Sequence, residues 1–214
     1  MLELLTPKII LILKTMSREP SEWHYTRELA KLSKVSLGTV SSEFSKLVKD
    51  GLVEQKTAGQ EKYYKLNLAN PMTRKLCELF ETERKEKLYK ENRRLAWILE
   101  DFTRRVSDFA PETQSIVLFG SSARSEGTAR SDIDVLVLVP NSEESQFKRL
   151  MNSIDNLAGE VSGRYPTKLA PVVMMTEDFE KSIKDRKRFA VDVLKDGIVL
   201  FGQEKYFNLL SKAI

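Results

Sequence analysis

Two aspartates one residue apart, Asp132 and Asp134, are the side chains of this sequence best placed to do chemistry. Ile133 stands between them, and the apolar run Val135-Leu136-Val137-Leu138-Val139 follows. In an extended strand alternate side chains share a face, so both carboxylates point one way and Ile133 the other. Held a few ångströms apart they repel, and one carboxyl would keep its proton unless a cation sat between them. Hard oxygen donors of this kind suit Mg²⁺, which takes one or two carboxylates plus substrate phosphates. Ten residues separate the pair from Gly120-Ser121, where an earlier apolar run, Ile116-Val117-Leu118-Phe119, ends. Gly120 lets the backbone turn without a Cβ in the way. Ser121 offers a hydroxyl and a backbone N–H at the start of a segment, where phosphate oxygens bind well. One strand end thus supplies a phosphate cradle and the next strand supplies metal ligands. That combination fits metal-assisted phosphoryl or nucleotidyl transfer.

The elements that must hold these groups are short strands rich in β-branched residues and bounded by turn chemistry. Beyond Val139, residues 142–158 read as a helix with Phe147, Leu150, Met151, Ile154 and Leu157 on its core side. A strand over 168–175 follows, then helices over 176–184 and 187–196, stopped by Gly197. A short apolar piece, 198–202, and a helix over 203–213 end the sequence.

The residues around the paired aspartates resemble a known family. Gly120-Ser121, ten residues, then Asp132-Ile133-Asp134 is similar to the signature of the nucleotidyltransferase superfamily that includes DNA polymerase β. Ala123-Arg124, Gly127-Thr128 and Ser131 resemble its minimal nucleotidyltransferase (MNT) branch, as does the segment 192–202. The resemblance implies that Asp132 and Asp134 are catalytic and hold Mg²⁺. It implies that Gly120 and Ser121 hold the phosphates of a nucleoside triphosphate and that Arg124 neutralises charge there. It also implies a third carboxylate on a later strand, to help deprotonate the attacking hydroxyl. The strand at that place, Lys168 to Met175, contains no acid. Glu177 and Asp178 follow it in a helix start, and Glu126 and Glu160 are the other substitutes. MNT proteins are often paired with HEPN toxins, which makes a protein of that type a candidate acceptor.

Composition narrows the classes. The chain has 214 residues, 41% hydrophobic and 31% charged, enough for one large domain or two small ones. The single Cys77 excludes an intrachain disulfide and fits a reducing compartment. With one Cys and one His, a structural zinc site is disfavoured. The apolar stretch Ile9 to Leu13 is too short to span a bilayer, and no signal-type cleavage region follows it. A cytoplasmic protein without membrane contact is expected. The net charge is +4, and the basic excess lies in the first half of the chain, which points to nucleic acid there.

That first half has its own pattern. Residues 7–17 read as a buried helix with Thr6 as N-cap and Pro7 at its first position. Residues 21–25 read as a connection, and Thr26 as the cap of a second helix without a capping box. Ser36 caps a third, Leu37 to Lys49, with Val40, Phe44, Leu47 and Val48 as its core stripe and Gly51 at its end. Strands over 52–56 and 62–66 follow. Three helices and a hairpin resemble a winged helix-turn-helix domain covering residues 5–68. By that resemblance helix 37–49 enters the major groove of double-stranded DNA. Leu37, Gly38, Thr39, Ser41, Ser42 and Ser45 would then lie nearest the bases, and Lys34, Lys46, Lys49, Lys56 and Lys62 would meet phosphates. None of the six can make the bidentate Arg–guanine contact.

From Met72 to Phe109 there is no Pro or Gly, which predicts one long helix or two end to end. Leu95, Leu99, Phe102, Val106 and Phe109 step 4-3-4-3, as in a coiled-coil seam or a core face. The stretch Glu81 to Arg94 is charged or polar except for Leu88 and Tyr89, so it reads as a solvated spacer or as a surface for a homodimer partner. Trp97 is expected in the core.

The expected fold is α+β: a winged helix over 1–70, a helical linker over 71–110, and a nucleotidyltransferase-type mixed sheet with flanking helices over 111–214. Two functions follow. One is Mg²⁺-dependent transfer of a nucleoside monophosphate to a hydroxyl by a DNA-bound protein. The other is a transcriptional regulator whose second half senses nucleotide without turnover.

Overall fold

The computed structural model describes residues 5–126, 131–165 and 167–214. Its fold is mixed α and β, and the described strands form two sheets. The chain divides into two compact units, Met1–Phe80 with Ile214, and Glu81–Ala213.

In the first unit, α1 (Pro7–Met16) starts as its sequence predicts. Thr6 Oγ1 accepts from the Ile9 N–H at 3.4 Å, and Pro7 occupies a position where an N–H would have no helical partner. Only one side is buried, through Ile9, Ile12, Leu13 and Met16; Leu11 is exposed. The expected connection at 21–25 contains a two-residue strand, β1 (His24–Tyr25), paired with the later β3 (Glu61–Leu66). Thr26 is not a cap but the first residue of α2 (Thr26–Ser33). Its hydroxyl donates to the Lys62 carbonyl at 2.9 Å, while the Glu28 carboxylate reaches back to the Tyr25 N–H at 3.4 Å. A partner across the sheet has outcompeted the local cap.

Lys34, at φ 54°, closes α2. Ser36 then caps α3 (Leu37–Lys49), its Oγ accepting from the Thr39 N–H at 3.2 Å. Val40, Phe44 and Leu47 are buried. Gly51, at φ +70°, reverses the chain into β2 (Val53–Ala58), which pairs with β3 across a turn at Gly59-Gln60. The sheet order is β1-β3-β2, antiparallel throughout. Tyr64 and Leu66 face the helices, and the Phe44 and Tyr64 rings lie 4.5 Å apart.

The Pro- and Gly-free stretch forms two helices, α4 (Pro71–Glu91) and α5 (Arg93–Phe109). They part at Asn92, whose side-chain oxygen accepts from the Leu95 N–H at 3.1 Å. Loss of that cap is expected to cost about 1 kcal/mol, so Asn92→Ala should lower the urea midpoint of the full chain by that equivalent without changing the slope.

Leu95, Leu99, Phe102 and Val106 are buried in the core of the second unit, and Phe109 is exposed. The 4-3-4-3 stripe is therefore a core face and is not available as a homodimer seam. Two expectations fail here. Trp97 is 60% exposed, because it falls outside the stripe. The charged stretch from Glu81 is no solvated spacer: Glu81, Leu88 and Tyr89 are buried, and Arg84 donates to the Gly197 and Asp196 carbonyls.

The rest of this unit is β4 (Ser115–Phe119), α6 (Gly120–Ala123), β5 (Ile133–Val139), α7 (Glu144–Arg164), β6 (Leu169–Met175), α8 (Thr176–Lys184), α9 (Arg188–Asp196), β7 (Ile198–Phe201) and α10 (Gln203–Ala213). The sheet order is β6-β5-β4-β7, with β5 and β6 parallel and β4 antiparallel to both neighbours. Helix α7 runs past the expected end because Val161 still has core to enter. Ile116, Leu118, Ile133, Val135 and Val137 pack on one side of the sheet against α5 and α7. Val117, Leu136 and Leu138 are buried on the other, where α8, α9 and α10 lie. Among the described residues no helix is long and apolar enough to cross a membrane.

Candidate functional site

The two strands of the motif pair in a register that sets Phe119 against Asp134. Directly after Phe119 the chain turns at Gly120, φ +71°, and enters α6. A Cβ on Gly120 would stand 2.4 Å from Asp134 Oδ2. The glycine therefore does more than permit the turn: it leaves the space that the Asp134 carboxylate fills. Residues 120–123 bring Ser121 to the same end of the sheet. Gly120 and Ser121 thus stand at the end of the sheet where Asp134 lies.

Burial first, and Asp132 second, hold the Asp134 carboxyl above the usual carboxylate range; Lys168 acts in the opposite sense. Asp132 accepts from Lys168 Nζ at 2.9 Å. Lys168 is set there by the parallel pairing of Ile133 with Leu169, which places the residue before each side by side. The hydrogen bond to Asp132 raises the Lys168 ammonium in turn. Sequence reasoning missed this lysine, since only the β5–β6 register brings it to Asp132. Its side chain is 72% exposed on a flexible stem, so the ion pair is a weak, water-screened one.

These groups fit a divalent cation. A carboxyl held above its range by burial and by a neighbouring carboxylate lacks positive charge, and the single exposed lysine relieves it only in part. Asp132 and Asp134 would be its two protein ligands. Among the described residues no cluster of three ligating side chains exists. Ala170 stands in register with Asp134, where a third acid would share its face. The four substitutes are placed elsewhere. Glu126 accepts from Arg124 Nε at 2.7 Å, Glu160 pairs with Arg105, and Glu177 and Asp178 lie in the first turn of α8, beyond the far end of β6.

Arg124, expected at the phosphates, is placed against two carboxylates. Its guanidinium sits between Glu126 and Asp196, the latter at 3.2 Å, and these two bonds hold it firmly protonated. Gly127 and Thr128 lie outside the described residues.

One stability consequence follows from Asp134. A carboxyl whose folded pKa stands above its unfolded value destabilises the fold once the pH passes the folded value. It costs nothing below the unfolded value, where both states hold the proton. Asp134→Asn is therefore expected to raise Tm at neutral pH, with the gain fading as pH falls toward about 4. Thermal scans across that range check it.

On the first unit, α3 exposes Leu37, Gly38, Ser41, Ser42 and Ser45, while Thr39 is half-buried. Two of the hydroxyls turn back onto their own helix. Ser42 Oγ donates to the Thr39 carbonyl at 3.1 Å, and Ser45 Oγ to the Ser41 carbonyl at 3.0 Å. Lys46 pairs with Glu43 at 3.2 Å, and Lys34, Lys49 and Lys62 are exposed. Lys56 lies with its ammonium 4.3 Å from the Trp23 ring centre, on the outward face of the sheet.

Comparison with known proteins bears on the second unit. Residues 95–200 match the family model described as nucleotidyltransferase domain. No curated protein matches the chain. A crystal structure of a mutant of the MntA–HpeT toxin–antitoxin is 22% identical, covering 52% of this chain and 78% of that one at a TM-score of 0.33. The structure of TrmBL2, an archaeal chromatin protein with a novel mode of DNA binding, is 15% identical, covering 77% and 64% at a TM-score of 0.21. Overlays this loose do not establish a common fold.

Proposed function

We propose that the second unit binds a nucleoside triphosphate with Mg²⁺ and transfers its nucleoside monophosphate to a hydroxyl, while the first unit, as a winged helix, holds the protein on double-stranded DNA. The observation that carries this reading is the Asp134 carboxylate packed over Gly120 with Asp132 beside it. The match of residues 95–200 to the nucleotidyltransferase domain supports the same chemistry. In the reaction, the acceptor oxygen bonds to the α-phosphorus, the bond from that phosphorus to the bridging oxygen breaks, and pyrophosphate leaves. The acceptor proton goes to solvent. Asp132 and Asp134 would hold the cation, whose chemistry is to draw charge from the phosphates. Ser121 orients the phosphates through its hydroxyl and backbone N–H, and Lys168 turns from Asp132 to their charge. Arg124 contributes only by leaving Glu126 and Asp196. A HEPN-type protein remains the acceptor to test first.

A second reading, a DNA-bound regulator that senses nucleotide without turnover, is favoured by one observation. The position in register with Asp134 is Ala170, and no third carboxylate joins the pair among the described residues. Without a dedicated base, transfer is slow by this reading, or does not occur. Incubation with α-labelled ATP and Mg²⁺ separates the two. Label on an acceptor supports transfer; calorimetric binding of Mg²⁺–ATP without label supports the sensor; neither binding nor label rejects both.

The DNA assignment rests on the exposed face of α3 and the exposed Lys34, Lys49 and Lys62. With the Ser42 and Ser45 hydroxyls bonded to their own helix, phosphate contacts carry most of the affinity. Gel shifts should therefore weaken steeply with salt and vary little with sequence.

A further inference from the structure

The outward face of the three-stranded sheet in the first unit carries an aromatic platform. Alternation turns His24, Tyr64 and Leu66 inward and leaves Tyr25, Tyr63 and Lys65 outward. Tyr25 and Tyr63 are direct cross-strand partners with ring centres 5.5 Å apart. Trp23, just before β1, has Lys56 Nζ 4.3 Å and Lys65 Nζ 5.4 Å from its ring centre. The Arg27 guanidinium is 6.0 Å from the Tyr25 ring. Two acids reach this face: Glu54 pairs with Lys65 at 3.5 Å, and Glu61 accepts from the Tyr63 hydroxyl at 3.0 Å.

A half-buried antiparallel sheet usually turns polar residues outward. One cross-strand ring pair would stiffen a small sheet. That accounts for Tyr25 and Tyr63. It does not account for Trp23, half-exposed beneath two ammonium groups, or for Arg27 beside Tyr25. Rings in a row with cations over them match the chemistry of unpaired nucleotides, whose bases stack on the rings while their phosphates take the cations. A duplex keeps its base faces stacked on one another and has none to offer.

We propose that this face binds single-stranded nucleic acid. Trp23, Tyr25 and Tyr63 stack unpaired bases, and Lys56 and Arg27 move from the rings to the phosphates. The site is distinct from α3 and from Asp132–Asp134, and it stands whether or not those bind duplex and nucleotide.

Fluorescence tests it directly. The chain has two tryptophans, so in Trp97→Phe protein Trp23 is the sole reporter. Titration of that full chain with an oligothymidylate of about a dozen nucleotides, a length within one such platform's reach, should quench it. Anisotropy of the labelled oligonucleotide should give a Kd that rises with salt. Trp23→Ala and Tyr63→Ala should each raise that Kd by about tenfold. The matched duplex should compete far less well. Four results would overturn the proposal. They are absence of quenching, equal affinity for the duplex, equal competition by polyglutamate, and ring removal that lowers Tm while leaving the Kd untouched. The third would mark a surface for acidic peptide, and the last a platform that only stiffens the sheet.

Discussion

Asp132→Ala is expected to remove Mg²⁺-dependent nucleotide binding and, with it, any label transfer. Two carboxylates are all that the described residues offer a divalent ion, so losing one leaves a single ligand beside the phosphates. Loss of an outer-shell partner alone costs a metal site 10- to 100-fold, so removal of a direct ligand should weaken Mg²⁺–ATP by at least about a hundredfold. Calorimetry with and without Mg²⁺ reads this: the wild type should lose affinity on chelation, and the variant should already sit at the chelated value. Lys168→Ala serves as the opposing control. Its ammonium competes with a cation for Asp132 in the free protein and meets phosphate charge in the loaded one. The variant should therefore bind Mg²⁺ alone slightly better and Mg²⁺–ATP worse. If Asp132→Ala binds Mg²⁺–ATP as the wild type does, the paired aspartates are not a metal site, and the proposed transfer loses its basis.

Much of this architecture was legible in the sequence, for identifiable reasons. Gly120-Ser121 and Asp132-Ile133-Asp134 could be placed on two strands because the flanking apolar runs are long and the period-2 alternation fixes which way the acids point. Thr6 and Ser36 marked helix starts because each cap is satisfied within three residues, a distance that a sequence does show. What stayed hidden depends on partners far along the chain. The Thr26 hydroxyl is claimed by Lys62, so an apparent cap became the first helical residue. Lys168 joins Asp132 through a parallel register that no local pattern encodes. Arg124 looked available for phosphate because Asp196, which helps hold it, lies seventy-two positions later. The stripe Leu95 to Val106 was visible as apolar, yet its spacing fits a seam and a core face equally; only the sheet it covers decides.

Arg84→Ala should produce the largest loss of stability, and it too arises from a long-range contact. β7 is an edge strand, so its outward N–H groups lack a ladder partner. The buried Glu81 carboxylate accepts from one of them, the Val199 N–H, at 3.1 Å. Arg84 stands 3.4 Å from the same carboxylate and donates to the Gly197 carbonyl at 2.8 Å and the Asp196 carbonyl at 3.0 Å, where α9 gives way to β7. Removing the guanidinium leaves Glu81 charged in a site that water scarcely reaches and strips two carbonyls of their donor. Breaking a fully buried pair costs about 3–5 kcal/mol. Arg84 is 27% exposed, so solvent screening cuts the cost below that range, to roughly 2–3 kcal/mol, or a fall in Tm of about 5–10 °C. Glu81→Gln in the same chain then separates charge from hydrogen bonding. If the carboxylate that has lost Arg84 is the cause, the double variant Glu81→Gln/Arg84→Ala should be more stable than Arg84→Ala alone. If the two are equally unstable in urea at pH 7, the carbonyl bonds of Arg84 hold the α9–β7 junction and the ion pair contributes nothing.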